Sequence, residues 1–332
     1  MKRREFVRLV GIAAAAWPLA ARLTSPATAQ ARRPRLAMLL IAASKTSPEA
    51  GERRNALAEL GWVDGRTIEI VARYAEGAFD RVPALMAELI ALNPDVILTH
   101  TGTAARVAAG ATRTIPVVVG AAGEEVMIEL AGSLAQPKGN VTGLTLVSHE
   151  QHAKVIELLK QAHPAASRIG ILANPLNVGS RDYPALLTDA LGLLGLDALR
   201  VEADDQDDLD TAFATMAAAR AEAVLVTADP SFNRPAMHRK INELARAHRI
   251  AVVSTFDAFT REGGLLSLGT DYRVICRRAA VYVDKILKGA KPGDLPIERP
   301  SVFRLMVNLK TAKTLSIPVP LALLGRADEV IE

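Results

Sequence analysis

From Arg35 to Ser254 short apolar runs alternate with longer amphipathic segments. Arg35–Ile41 (RLAMLLI) has the unbroken apolar character of a strand buried on both faces. Pro48–Leu60 then reads as a helix ended by Gly61, and Thr67–Tyr74 alternates as a strand. Asp80–Leu92 is helical and is stopped by Asn93-Pro94. Asp95–His100 is a strand, Gly102–Gly110 a short helix and Pro116–Gly120 a strand.

The same order restarts at Arg168. Arg168–Ala173, Asp197–Val201, Ala223–Thr227 and Ile250–Ser254 read as strands. Tyr183–Leu194, Asp207–Arg220 and Pro235–His248 read as the helices between them. Strands separated by helices form right-handed crossovers, which lay the strands parallel and cover the sheet on both faces. The pattern therefore predicts an α/β protein of two similar parallel-sheet lobes with a cleft between them. Gly139–Ser148 and Gly263–Gly269 are glycine-flanked extended segments where the chain passes from lobe to lobe. Their glycines serve either a hinge or ordinary strand-end turns.

The first 29 residues follow a different plan. Lys2, Arg3, Arg4 and Arg8 precede an apolar run from Leu9 to Ala21, and Ala27-Thr28-Ala29 places small residues where a signal peptidase reads. The run is short for a membrane span and Pro18 interrupts it. Residues 1–29 are expected to be a cleaved signal peptide. Arg3 and Arg4, followed by Glu5-Phe6, resemble the twin-arginine export motif, with the general secretory route as the alternative. The segment carries five basic residues and one acid, so the chain's net charge of +4 falls to zero without it. No general attraction to nucleic acid or anionic lipid is left. Aromatic residues make up 4% of the chain, too few for a base-stacking platform, and the single Cys276 excludes a disulfide framework or a multi-cysteine metal cluster.

Ligands of parallel sheets sit beyond the carboxyl ends of the strands, where helix N-termini also converge. That rule selects Ser44, Thr101, Gly102, Thr103 and Ala121 in the first lobe, and Asn174, Asp229 and Phe256 in the second. Hydroxyls and backbone N–H groups suit a carboxylate, and Asp229 suits an ammonium group. Each residue serves either as such a contact or simply as a helix cap. The chain carries no GxGxxG, GxxxxGK[ST] or GxSxG pattern. His149 and His152 stand three apart, whereas a zinc-protease helix needs four, so neither metal nor cofactor is expected. Cys276 reads as a packed side chain.

Several segments together give the chain a family likeness: Tyr74-Ala75-Glu76-Gly77, Gly139-Asn140-Val141-Thr142-Gly143, Glu262-Gly263-Gly264-Leu265, Arg278–Gly289, Ala290–Pro296 and Val307–Ala312, with Ala327–Glu332 at the carboxyl end. In these the chain resembles the periplasmic substrate-binding components of ABC transporters, in the family that includes tryptophan/tyrosine-type binding proteins. The resemblance implies a type I periplasmic-binding-protein fold with three interlobe crossings. One lobe would hold residues 34–145 plus about 263–295, the other 146–262 plus about 296–332. It also implies closure on a small-molecule solute and delivery to an ABC permease driven by a separate ATPase. The protein would meet the membrane only through that permease and act as a monomer. Gly123-Glu124-Glu125-Val126 stands where the family often has Gly-Asp-Pro-Val, and Leu268 where it often has Tyr. Both departures fall near the expected cleft or hinge, so the family's aromatic amino-acid ligands are not carried over.

The expected function is thus binding without catalysis, in the periplasm. A ligand sensor that presents its bound state to a receptor and an exported enzyme are the alternatives. A transcription regulator of the same fold would need a DNA-binding helix pair where residues 1–33 carry the export signal.

Overall fold

The computed structural model describes residues 32–42, 44–45, 48–146, 149–177, 185 and 187–332. The expected signal peptide, with Arg3 and Arg4, lies outside these residues. Five strands come first in the chain: β1 (Arg35–Leu40), β2 (Glu69–Tyr74), β3 (Val96–Thr99), β4 (Val117–Ala122) and β5 (Val141–Thr145). They form one parallel sheet in the order β2-β1-β3-β4-β5. Helices α1 (Pro48–Glu59), α2 (Val82–Ala91), α3 (Gly102–Ala111) and α4 (Glu124–Ala131) alternate with these strands.

A strand buried on both faces sends alternate side chains to two cores. In β1, Ala37 and Leu39 join the cluster under α2, α3 and α4. Leu36 and Met38 face the other side, where the partners include Ala56 and Leu57 of α1. The same cluster takes in Ile275, Ala279 and Val283 of α10 (Tyr272–Leu287), a helix that arrives late in the sequence. Asp271 caps α10 by accepting from Arg273 N at 2.8 Å. Trp62 Nε1 donates to Asp284 at 2.9 Å, tying α10 to the chain just beyond α1. Cys276 is buried in this face, as the sequence suggested.

The second sheet has seven strands. They are β6 (Arg168–Ala173), β7 (Asp197–Glu202), β8 (Ala223–Val226), β9 (Ala251–Ser254), β10 (Leu266–Gly269), β11 (Arg304–Asn308) and β12 (Glu329–Ile331), in the order β12-β11-β10-β9-β8-β6-β7. Only the β10–β11 pairing is antiparallel. In β8 and β9, Leu225 and Val253 face the cluster that includes α5 (His149–Ala162). Val224, Val226 and Val252 face α7 (Gln206–Ala218) and α8 (Pro235–His248). The short helices α6 (Thr188–Leu193), α9 (Asp257–Arg261), α11 (Leu309–Leu315) and α12 (Leu321–Leu324) complete this lobe. Both sheets belong to one compact unit, Pro34–Glu332.

The chain passes between the sheets after β5, after β10 and before β11. The expected return to the first lobe at about 263 comes later, because β10 is hydrogen-bonded into the second sheet and α10 is the first element back. Residues 296–299 also stay with the first lobe, where Leu144 bridges to Glu298 and Ile297 is buried in the first core. Gly143 and Gly269, one in each segment, act in packing. A Cβ on Gly143 would lie 2.1 Å from Val119 O, and one on Gly269 would lie 2.0 Å from Thr255 O, so each lets two backbones meet.

Candidate functional site

Both sheets turn the carboxyl ends of their strands, β11 and β12 excepted, toward a cleft of about 700 Å³. The first lobe supplies Leu40, Ile41, Ala42 and Ser44 after β1, His100, Thr101 and Gly102 after β3, and Ala121, Ala122 and Gly123 around the end of β4. The second supplies Asn177 after β6, Ala228 and Pro230 after β8, and Thr255, Phe256 and Asp257 after β9. Leu146, Thr270, Tyr272 and Ile275 line it from the crossings and α10. The wall is mostly apolar, with a few polar groups set into it, the usual make-up of a small-molecule site.

Of the residues chosen from sequence, Ser44, Thr101, Gly102, Ala121 and Phe256 line this cleft. Thr101 also caps α3, its Oγ1 accepting from Ala104 N at 3.1 Å. Gly102 keeps the first turn of α3 clear of Val126, whose Cγ2 would lie 3.1 Å from an added Cβ.

Asn174, Asp229 and Thr103 are not among the lining residues. Asn174 and Asp229 are fully buried. Asp229 accepts from Asn177 Nδ2 at 2.6 Å, from Ser231 N at 2.7 Å and from Asn174 Nδ2 at 3.2 Å. Burial raises its pKa, against the lowering effect of these hydrogen bonds. The carboxyl group is thereby engaged inside the second lobe, joining the loops after β6 and β8, rather than set on the cleft wall. Thr103 turns to the opposite lobe, where its Oγ1 donates to Asn177 Oδ1 at 3.4 Å.

Side chains outside that choice shape the wall more strongly. Arg53, on α1, is 5% exposed and lines the cleft, with its guanidinium 5.0 Å from the centre of the Tyr272 ring. That is cation–π distance. His100 meets the same ring edge-on at 5.5 Å. Burial, and then the nearby Arg53 charge, hold the His100 pKa well below its usual value, so the imidazole is neutral. Thr255 Oγ1 and Thr270 Oγ1 are buried and find no hydrogen-bond partner among the described residues. Two unsatisfied hydroxyls on one cleft wall are polar positions that a ligand can fill.

The lobes also touch directly. Arg234, just before α8, donates through Nε to Ser231 O at 3.0 Å and through Nη1 to Glu76 O of the first lobe at 3.4 Å. Its guanidinium lies against Gly77, where an added Cβ would be 2.9 Å from Cζ. His152 is likewise structural. Its buried Nε2 accepts from Ala228 N at 3.3 Å, which holds the start of the loop after β8.

Sequence spacing gave little sign of Arg53, which lies on an ordinary amphipathic helix, or of Tyr272, which opens a helix from the far end of the chain. Asn177 and Arg234 lie three and five residues past Asn174 and Asp229, on the same strand-end loops.

Two α/β lobes that face a part-apolar cleft with their strand ends, and are joined by several crossings, define a two-lobed solute-binding protein. The chain belongs to the ABC transporter substrate binding protein family, whose model matches residues 50–331. It is similar to the tyrosine-binding protein of Clostridioides difficile (strain R20291), at 23% identity over 264 residues, 79% of this chain and 74% of that protein. Among solved structures it is similar to a conserved domain protein from Vibrio cholerae O1 biovar El Tor, at 25% identity and a TM-score of 0.82 over 90% of this chain and 100% of that one. It is also similar to an ABC domain from Streptococcus pneumoniae in complex with L-Trp, at 23% identity and a TM-score of 0.81, with the same coverage. Among the described residues no helix is long and apolar enough to cross a membrane.

Proposed function

We propose that this protein is the periplasmic solute-binding component of an ABC-type importer. It closes two lobes on a small solute, amino-acid-like or carboxylate-bearing, and delivers it to a membrane permease worked by a separate ATPase. It acts by binding rather than turnover, as a monomer. The observation that carries this reading is the cleft, which both lobes line and across which Arg234 reaches Glu76 and Thr103 reaches Asn177. Residues 1–29 serve as its export signal and are removed after Ala29. Ser44, Thr101, Gly102, Ala121 and Phe256 are proposed as ligand contacts, joined by Arg53, His100, Thr255 and Tyr272.

The test is native mass spectrometry of gently purified protein, followed by thermal melting with the solute it carries. A bound solute that raises the melting temperature with concentration supports the reading. A protein that carries nothing and melts at one temperature across a broad solute panel would overturn it.

A further inference from the structure

The size of the solute follows from where the two lobes already meet. The crossings leave the first sheet after β5, at one edge, and join the second sheet at β10 and β11. The direct contacts between the lobes lie on the other side of the cleft. Glu76 and Gly77 follow β2, the opposite edge of the first sheet, and Asn177 and Arg234 follow β6 and β8, toward the β7 edge of the second. Arg234 Nη1 donates to Glu76 O at 3.4 Å, and Thr103 Oγ1 donates to Asn177 Oδ1 at 3.4 Å. The Arg234 guanidinium rests on Gly77 so closely that an added Cβ would lie 2.9 Å from Cζ. Closure about the crossings brings these rims together, and here they have met. The cleft of about 700 Å³ is therefore space that remains when the lobes touch.

That space is large for one amino acid. An apolar cavity of about 150 Å³ holds one benzene, or roughly 25 Å³ for each heavy atom, so the cleft has room for about 28. Leucine has about 9 heavy atoms and tyrosine about 13, less than half of that number. The rest would be water against a wall that includes Leu40, Ile41, Val126 and Ile275. Water left on apolar surface forgoes the hydrophobic gain that a larger ligand would supply. Small side chains, among them Ala122, Ala228 and Ala258, keep the cleft wide.

Resting on the solute-binding reading, we infer that the cleft is built for an amphiphilic solute larger than a single amino acid. The solute has roughly 20–28 heavy atoms, most of them in an apolar body, with the polar head as the smaller part.

Calorimetric titration tests this with three head groups, each on a short and a long body. The short members are L-phenylalanine, 3-phenylpropionate and 2-phenylethylamine, and each is compared with its counterpart carrying a second phenyl ring at the ring 4-position. In every head class that binds, the two-ring member should bind at least tenfold more tightly. A one-ring member that binds as tightly as its counterpart, or a panel in which no two-ring member binds, overturns the inference. Ala228→Phe and Ala258→Phe add bulk to the wall, and at least one should erase the advantage of the second ring, with circular dichroism checking that each variant is folded. A tenfold advantage that survives in both folded variants also overturns it. Native mass spectrometry should show a carried solute heavier than tryptophan. A free amino acid carried by the purified protein would sink this inference while leaving the solute-binding reading intact. A protein that carries and binds no solute of any size would sink both.

Discussion

Asn177 donates from Nδ2 to Asp229 at 2.6 Å, while its Oδ1 accepts from Thr103 of the opposite lobe at 3.4 Å. The buried acid thus sets the angle of an amide that meets the other lobe. Replacing Asp229 by Ala would strip the acceptor from Asn177, Asn174 and the Ser231 amide. The expected cost is roughly 2–4 kcal/mol of stability, measured by urea denaturation, with affinity for every ligand falling together. Unchanged stability with a selective loss of amine-bearing ligands would instead make Asp229 the ammonium contact that the sequence suggested.

Arg234 works as a clasp between the lobes, with Ser231 O on its own side and Glu76 O on the other. Arg234→Ala removes that hydrogen bond. Ligand affinity should fall roughly two- to twelvefold, equivalent to about 0.5–1.5 kcal/mol. Small-angle scattering of the ligand-free variant should give a larger radius of gyration than the wild type. An unchanged radius and affinity would show that the contact does not bias closure.

His238 gives the fold a definite response to acid. It is 4% exposed, packs 4.4 Å from the Phe259 ring, bonds to Asn233 at 3.2 Å and stands 3.7 Å from Glu262. Burial, then the Arg239 charge, lower its pKa to about 4 from 6.5. Between these values the unfolded chain takes up a proton that the folded protein refuses. The His238 contribution is therefore complete above pH 6.5 and is lost as pH falls toward 4, by about 3 kcal/mol in all. His238→Gln should flatten the stability profile over that window, and denaturation at stepped pH would reveal parallel profiles if the assignment is mistaken.

Export can be read directly. Amino-terminal sequencing of the exported protein should begin at Gln30. Changing Arg3 and Arg4 to Lys should hold the precursor in the cytoplasm if the twin-arginine route is used. Continued export of that variant would assign the general secretory route, and a cytoplasmic protein that retains Met1 would remove the periplasmic reading.

The local pattern carried much of the architecture. Arg168–Ala173 and Pro235–His248 fall where periodicity puts them, because a buried parallel strand and an amphipathic helix each have a strong local signature. The strand-end rule located the cleft because it depends on topology alone. It could not separate Ser44, which reaches the cleft, from Asp229, which faces inward, since both occupy equivalent backbone positions. Arg53 was hidden for another reason. A charged residue on an amphipathic helix reads as solvated, and it is the distant Tyr272 that lies across it. Gly269 left a hinge and a strand-end turn open from sequence, and its missing side chain serves the approach of Thr255 O.

Helix α10 packs on the first sheet although well over a hundred residues of the second lobe precede it in the chain. A fragment ending near residue 146 would leave Leu36, Met38, Val96 and Val118 facing water where Ile275, Ala279 and Val283 belong. During synthesis the first lobe must wait for nearly the whole polypeptide to leave the ribosome before its core can close. A premature stop before Tyr272 therefore strips the first lobe of one face of its core.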